Sequence, residues 1–313
     1  MDNDLPIAPF RLQIRALTPI RFNHYSGSAW RGLFGHQLKN AVCVTRMSDC
    51  KECALYRRCP YSYLFETPPP ENTRFMRRSN AAPHPFVLSP DPALRQLAEG
   101  EQTSLALTLI GDAAKQLPYF VHAFQRAGAR GVGVGDGRFE LAGVEQEAVP
   151  GSGQWEAIMH DGGLSPMSPA VPQVPAVPDR VTMALHSPLR LKHRDRFLSP
   201  RYFPFSGVVA NLLRRYSMTS YFHNDTVVEM DFRDWVERAS AVEHENAELR
   251  WFRWNRYSSR QHKKIGMDGI VGHVTFDGEA IAPFWPLLWL GQWLHLGKGT
   301  SMGLGRYRIG PAA

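Results

Sequence analysis

Cysteine is nearly missing from this chain. Four occur among 313 residues, and all four sit between positions 43 and 59. A disulfide framework linking distant parts is therefore not expected. Long apolar runs are missing too: no stretch of about 18 consecutive apolar residues exists, so no membrane span is expected. The opening MDNDLPIAPF is acidic and has no apolar core of a secretion signal, which points to a cytoplasmic protein with no membrane partner. Acidic residues are outnumbered, with 29 Asp and Glu against 36 Lys and Arg, for a formal charge of +7. That excess suits an anionic partner such as nucleic acid. It is unevenly spread, concentrating in residues 190–201 and 250–264. No paired carboxylates and no Ser-His-Asp pattern stand out.

Two glycine runs are present instead, 168 residues apart: Gly135-Asp136-Gly137-Arg138-Phe139 and Gly303-Leu304-Gly305-Arg306-Tyr307. Upstream, Leu17-Thr18-Pro19-Ile20-Arg21 matches His186-Ser187-Pro188-Leu189-Arg190 at nearly the same offset. Self-similarity at a fixed spacing reads as two copies of one module. Apolar alternation predicts strands over 10–22 and 104–110, and helical spacing of Trp30, Leu33, Phe34, Leu38 and Val42 predicts a helix over 28–42. A second helix over 113–127 and the glycine loop with its strand over 131–141 complete the half. The second half repeats the order, with strand 180–191, helix 206–219, strand 270–276, helix 283–295, and a loop and strand over 297–309. Residues 148–178, rich in Pro, Gly and Ser, read as a linker. The expected fold class is α+β: two tandem ferredoxin-like modules, 1–147 with a four-cysteine insertion at 43–59, and 179–313 with a C-terminal glycine-rich loop.

The glycine tail can be read in two ways. Its exposed amides could cradle phosphate, with Lys298 and Arg306 adding charge, or it could be a tight packing turn between helix and strand. A Walker A loop is excluded, because a strand rather than a helix follows. Taken with its surroundings, LHLGKGTSMGLGRYRI preceded by SSRQHKKIGMDGIVGHVTF resembles the C-terminal region of the CRISPR precursor-RNA processing endoribonucleases of the RAMP superfamily. WRGLFGHQLKNAVC, followed by CPYSYLFE, resembles the start of the same family. The resemblance covers most of the chain except about 80–100 and the linker. It implies a tandem ferredoxin-like fold, binding of CRISPR repeat RNA, and cleavage with no catalytic metal, leaving 5′-hydroxyl and 2′,3′-cyclic phosphate ends. RAMP proteins also include non-cleaving RNA-binding subunits of CRISPR effector complexes, so other subunits of such a complex are candidate partners.

Such cleavage needs a base for the ribose 2′-hydroxyl, an acid for the leaving 5′-oxygen, and cations for the phosphorane charge. Histidine can act as either acid or base near neutral pH. Of twelve histidines, His36 lies opposite the apolar arc of the 28–42 helix, with Lys39 on the same open face and Gly32 and Gly35 flanking it. The resemblance places the catalytic histidine in this early helix, helped by a tyrosine or lysine, which here are Tyr25 and Lys39. His24 is the rival; His262 reads as a phosphate contact.

Cys43, Cys50, Cys53 and Cys59 have the spacing C-x6-C-x2-C-x5-C. Such crowding suits a structural zinc held by four thiolates, with an iron–sulfur cluster as the alternative. Among the basic segments, Arg190, Lys192, Arg194 and Arg196 alternate as if along one strand face, and Arg201 follows. Arg250, Arg253, Arg256, Arg260, Lys263 and Lys264 intersperse with Trp251, Trp254 and Tyr257, a mixture able to hold phosphates and stack bases. Gly303 and Gly305 join these as candidate RNA contacts. A zinc-containing DNA-binding regulator is the remaining reading.

Overall fold

The computed structural model describes residues 4–68, 82–258 and 263–312, without the side chains of 256–258, 263 and 264. Arg260 and His262, and the side chains of Arg256, Tyr257, Lys263 and Lys264, thus lie outside the described residues. The chain forms two compact units. One comprises residues 5–170 and 217–227, the other residues 171–216 and 228 onward.

In the first unit, β1 (Ile7–Ala16) is followed by α1 (Gly27–Val42), β2 (Phe86–Ser89), β3 (Gln102–Ile110), α2 (Leu117–Gly128) and β4 (Phe139–Glu147). The antiparallel sheet runs β2-β3-β1-β4, the strand order of a split βαβ plan. Phe10, Leu12, Ile14 and Ala16 on β1 are buried, as the alternation requires. The helices cover this face through aromatic packing: Phe34 of α1 stacks on Phe120 of α2 at 4.1 Å, and Trp30 meets the edge of Phe139 at 5.3 Å. Burying each such side chain contributes about 1.5–3 kcal/mol.

The stretch 148–178 is not merely a linker. A turn closed by Ser152 N–H to the Val149 carbonyl (2.9 Å) sends the chain back as β5 (Trp155–Ala157), which pairs with β4 and widens the sheet. Ile158 is buried, and Ala170 bridges to Ile7. Gly and Ser make the reversal, while most of the prolines, which donate no ladder hydrogen bond, come after it.

The second unit repeats the plan with β6 (Arg180–Leu189), the part of α3 (Phe205–Asn224) up to Tyr216, an added α4 (Phe232–Ala239), β7 (Asn246–Phe252), β8 (Gly269–Asp277), α5 (Trp285–Leu294) and β9 (Tyr307–Pro311). Its antiparallel sheet runs β7-β8-β6-β9, the same order. The fold is therefore α+β with two ferredoxin-like modules. α4 begins where Asp231 accepts hydrogen bonds from the Arg233 and Asp234 amides at 2.9 and 3.1 Å. Among the described residues no helix is long and apolar enough to cross a membrane.

Candidate active site and nucleic-acid interface

The sequence repeat corresponds to a repeated hydrogen-bond joint. In the first unit the Arg138 amide donates to Thr18 Oγ1 at 2.8 Å, while the Leu17 and Thr18 amides donate to the Arg138 carbonyl at 2.8 and 3.2 Å. In the second, the Arg306 amide donates to Ser187 Oγ at 2.8 Å, and the His186 and Ser187 amides donate to the Arg306 carbonyl at 2.9 and 3.3 Å. The hydroxyl before the proline thus ties the arginine after the glycine run to the first strand of its module.

The C-terminal glycine loop is built by this joint and turned inward. Gly303 and Gly305 have φ of 83° and 67°, and both are buried. A Cβ on Gly305 would lie 1.9 Å from the Leu296 carbonyl oxygen, so only glycine fits there. The amides at 297, 298, 303, 305 and 306 donate to Asn211 Oδ1, Arg190 O, Thr300 O, Pro188 O and Ser187 Oγ. Those amides are spent within the fold, which corrects the expectation that the loop offers them to phosphate. Lys298 is exposed and Arg306 partly so, leaving these two as the loop's cationic surface. His295, at the loop's start, is fully enclosed. Burial first, then Arg306 and Arg215, push its imidazole down to about 3, so it stays neutral.

On α1, Trp30, Phe34 and Leu38 are buried and His36 is exposed. Lys39, one turn on, is half-buried, with its ammonium 5.4 Å from the Tyr61 ring. His24 is exposed as well. Tyr25 is buried at 3% exposure, unlike the exposed His36 and His24. Gly32 faces open space, but a Cβ on Gly35 would lie 2.9 Å from the Phe65 ring; the room expected beside His36 exists on one side only.

The basic stripe is not a strand face. β6 ends at Leu189, and Lys192–His193 pairs with Arg196–Phe197 as a tight hairpin. Arg194 and Asp195 sit at its turn with φ of 47° and 61°. The cations gather on aromatic rings that the sequence reading overlooked. Arg190 and Lys192 lie 4.5 and 5.3 Å from the Phe197 ring, and Arg196 lies 4.3 Å from Tyr202. Lys192, Arg194, Arg196 and Arg201 are exposed. Arg250 and Arg253 are also exposed, on and just after β7, where Trp251 is 45% exposed while Trp254 is buried at 3%. Of that pair only Trp251 can stack on a base.

The four cysteines, each half-buried, line one pocket with Lys39, Val42 and Leu55. Burial pushes the Cys50 thiol up, with Lys39 opposing; a hydrogen bond from Thr45 lowers Cys53. Among the described residues no three His, Cys, Asp or Glu side chains have the geometry of a metal centre, so the sulfurs are neighbours rather than a closed shell. Beside this pocket lies a cleft of about 540 Å³ that shares Lys39, Cys43 and Met47 with it. Arg46, Arg126 and Arg130 line it, and no carboxylate does. Sequence reasoning missed these three arginines, because position 46 and positions 126–130 meet only through the tertiary fold.

Residues 5–170 match a family model described as an N-terminal domain, and residues 183–307 match that of the CRISPR-associated endoribonuclease Cas6. A solved Cas6 product complex is 18% identical, with a TM-score of 0.56 over 97% of this chain and 99% of that one. A Thermus thermophilus Cas6 is 15% identical, with a TM-score of 0.55 over 98% and 100% of the two chains. A partial Cas6-RT-Cas1–Cas2 complex is 10% identical, with a TM-score of 0.55 over 98% of this chain and 46% of that one. A comparison with curated protein sequences gives no match. The match of residues 183–307 to the Cas6 model, in the module whose glycine loop is tied down by Ser187, leads to one conclusion: the second module is a Cas6-type domain of the CRISPR-associated endoribonucleases.

Proposed function

We propose that the chain cleaves repeat RNA with no metal in the chemistry, using His36 for proton transfer. One observation carries this reading: His36 is exposed on α1, and Lys39 on the same helix lines a cleft with Arg46, Arg126 and Arg130. A phosphodiester held along those cations would present a 2′-hydroxyl to the exposed imidazole. That oxygen attacks the adjacent phosphorus, its proton passes to the base, and the bond to the 5′-oxygen breaks as that oxygen gains a proton. The products are a 2′,3′-cyclic phosphate and a 5′-hydroxyl. Lys39 and the arginines offset the added negative charge of the phosphorane. Exposed Arg190-flanking cations (Lys192, Arg194, Arg196 and Arg201), together with Arg250, Arg253, Lys298 and Arg306, are the further RNA contacts of this reading. The solved Cas6-RT-Cas1–Cas2 assembly makes other CRISPR proteins candidate partners.

The test is cleavage of repeat RNA in EDTA by the parent, His36→Ala and His24→Ala chains. His36→Ala should bind RNA like the parent and cut it about 10²–10⁴-fold more slowly. Parent-like cleavage by His36→Ala, with loss in His24→Ala, would move the role to His24. Loss of parental cleavage in EDTA, restored by a divalent cation, would end the metal-free reading.

A further inference from the structure

We infer that Cys43, Cys50, Cys53 and Cys59 bind one zinc ion as a structural four-thiolate site, and that the metal fixes the loop forming one wall of the Arg46–Arg126–Arg130 cleft. The four side chains come from one short insertion yet line one pocket, walled by Val42 and Leu55. An apolar wall with only sulfur ligands favours a soft or borderline cation over magnesium or calcium. The backbone already brings the insertion back on itself: the Cys53 amide donates to the Cys50 carbonyl at 3.1 Å, and the Cys59 amide to Leu55 at 2.9 Å. Since the sulfurs do not themselves form a closed shell, binding requires the 44–58 loop to tighten around the ion.

Charge favours that closure. On binding Zn²⁺ the four thiols release four protons to solvent and leave a centre of net charge −2. Lys39, which lines the same pocket, supplies a compensating ammonium. No coordination position stays open, so the ion takes no part in cleavage. The consequence is mechanical. Arg46 lies between the first two ligands in sequence, and Cys43 and Met47 line the thiol pocket and the basic cleft alike. Without the ion, Arg46 is carried on a loop with no covalent or coordinate tether between residues 43 and 59. Its guanidinium would then have to be ordered anew each time RNA binds.

The metal half of this inference stands on the cysteines alone; the coupling to RNA rests on the function proposed above. The two are read separately. Full-length protein, purified without chelator, is assayed for metal, and cobalt is substituted to look for the visible bands of a tetrahedral cobalt–thiolate centre. Binding is measured with a single-stranded RNA oligonucleotide at low salt. Expected are about one zinc per chain, loss of zinc in Cys50→Ser, and its return in Cys50→His, which keeps a ligand of the right kind. RNA affinity should fall several-fold in Cys50→Ser and recover in Cys50→His; a variant that merely misfolds would not be rescued this way. Protein free of zinc, or carrying iron with sulfide, overturns the site. Zinc lost with RNA affinity unchanged overturns the coupling to the cleft.

Discussion

Ser187 and Thr18 hold the same place in the two modules but not the same environment, and truncating each should separate the two. Ser187 has no exposed surface. Its hydroxyl accepts from the Arg306 amide at 2.8 Å and donates to the Gly303 carbonyl at 2.7 Å. In Ser187→Ala both backbone groups stay buried and lose their partner. At about 1–3 kcal/mol for each unsatisfied group, the loss is roughly 2–4 kcal/mol after some relaxation. Thr18 is partly exposed and makes one such bond, from the Arg138 amide at 2.8 Å. Water can replace its oxygen, so Thr18→Ala should cost about 0.5–1.5 kcal/mol. Hydrogen exchange followed on peptides reads each module by itself. In Ser187→Ala, peptides spanning 180–191 and 300–311 should lose protection by roughly 30- to 1,000-fold, at about 1.4 kcal/mol per tenfold. Peptides spanning 10–22 and 131–147 in Thr18→Ala should lose about 10-fold or less. Equal losses in both modules, or a Ser187→Ala effect under about 0.5 kcal/mol, would refute the claim that burial sets the worth of this joint.

Gly305→Val should abolish stable folding of the second unit, because φ of 67° and a carbonyl 1.9 Å from the new Cβ leave it no place, whereas Gly310→Ala, with nothing within 4 Å, should melt like the parent; thermal unfolding checks both. Replacing Lys192, Arg194 and Arg196 together by Ala should weaken RNA binding and flatten the plot of log affinity against log salt by about 2, at roughly 0.7 per lost phosphate contact on a single strand; a parent-like slope would put this hairpin off the RNA. His295, held at about 3 by burial and by Arg306 and Arg215, refuses a proton that the unfolded chain takes up below its ordinary value of 6.5. Its contribution to stability is present above that value and falls as pH drops toward 3, by at most about 1.4 kcal/mol per pH unit. Urea midpoints taken from pH 7 down to 4 should decline less steeply in His295→Gln, and an unchanged decline would show that the imidazole is not the group responsible.

What the sequence disclosed, and what it hid, divides along a physical line. The repeat was legible because Thr18, Ser187 and the glycine–arginine runs serve a backbone joint whose geometry admits few residue types, so the same types recur at the same spacing. β1, α1 and α2 were legible because each buries one face, which imprints period 2 or 3.6 on the chain. β7 does alternate, Asn246, Glu248 and Arg250 polar against Ala247, Leu249 and Trp251 apolar, but its apolar face is at most half-buried and the three-residue recurrence of Trp251, Trp254 and Tyr257 masks that period. The alternation of Arg190, Lys192, Arg194 and Arg196 misled for the opposite reason. A turn at Arg194 and Asp195 bends that segment into a hairpin, and a two-residue strand pair buries too little to mark its own ends. For the candidate site, His36 could be placed on the open face of α1 from spacing alone, whereas the enclosure of Tyr25 depends on neighbours that local spacing does not name. The cleft is the extreme case. Arg46 follows the first cysteine, and Arg126 and Arg130 come some eighty residues later; nothing in either stretch points to the other. A loop whose only strong local signal is its cysteines is where such long-range convergence needs an outside constraint, and a metal ion supplies one at the cost of four residue identities. The burden of the inference therefore falls on Cys50→Ser and Cys50→His: if the ion shapes the cleft, exchanging one ligand for another must preserve what removing it destroys.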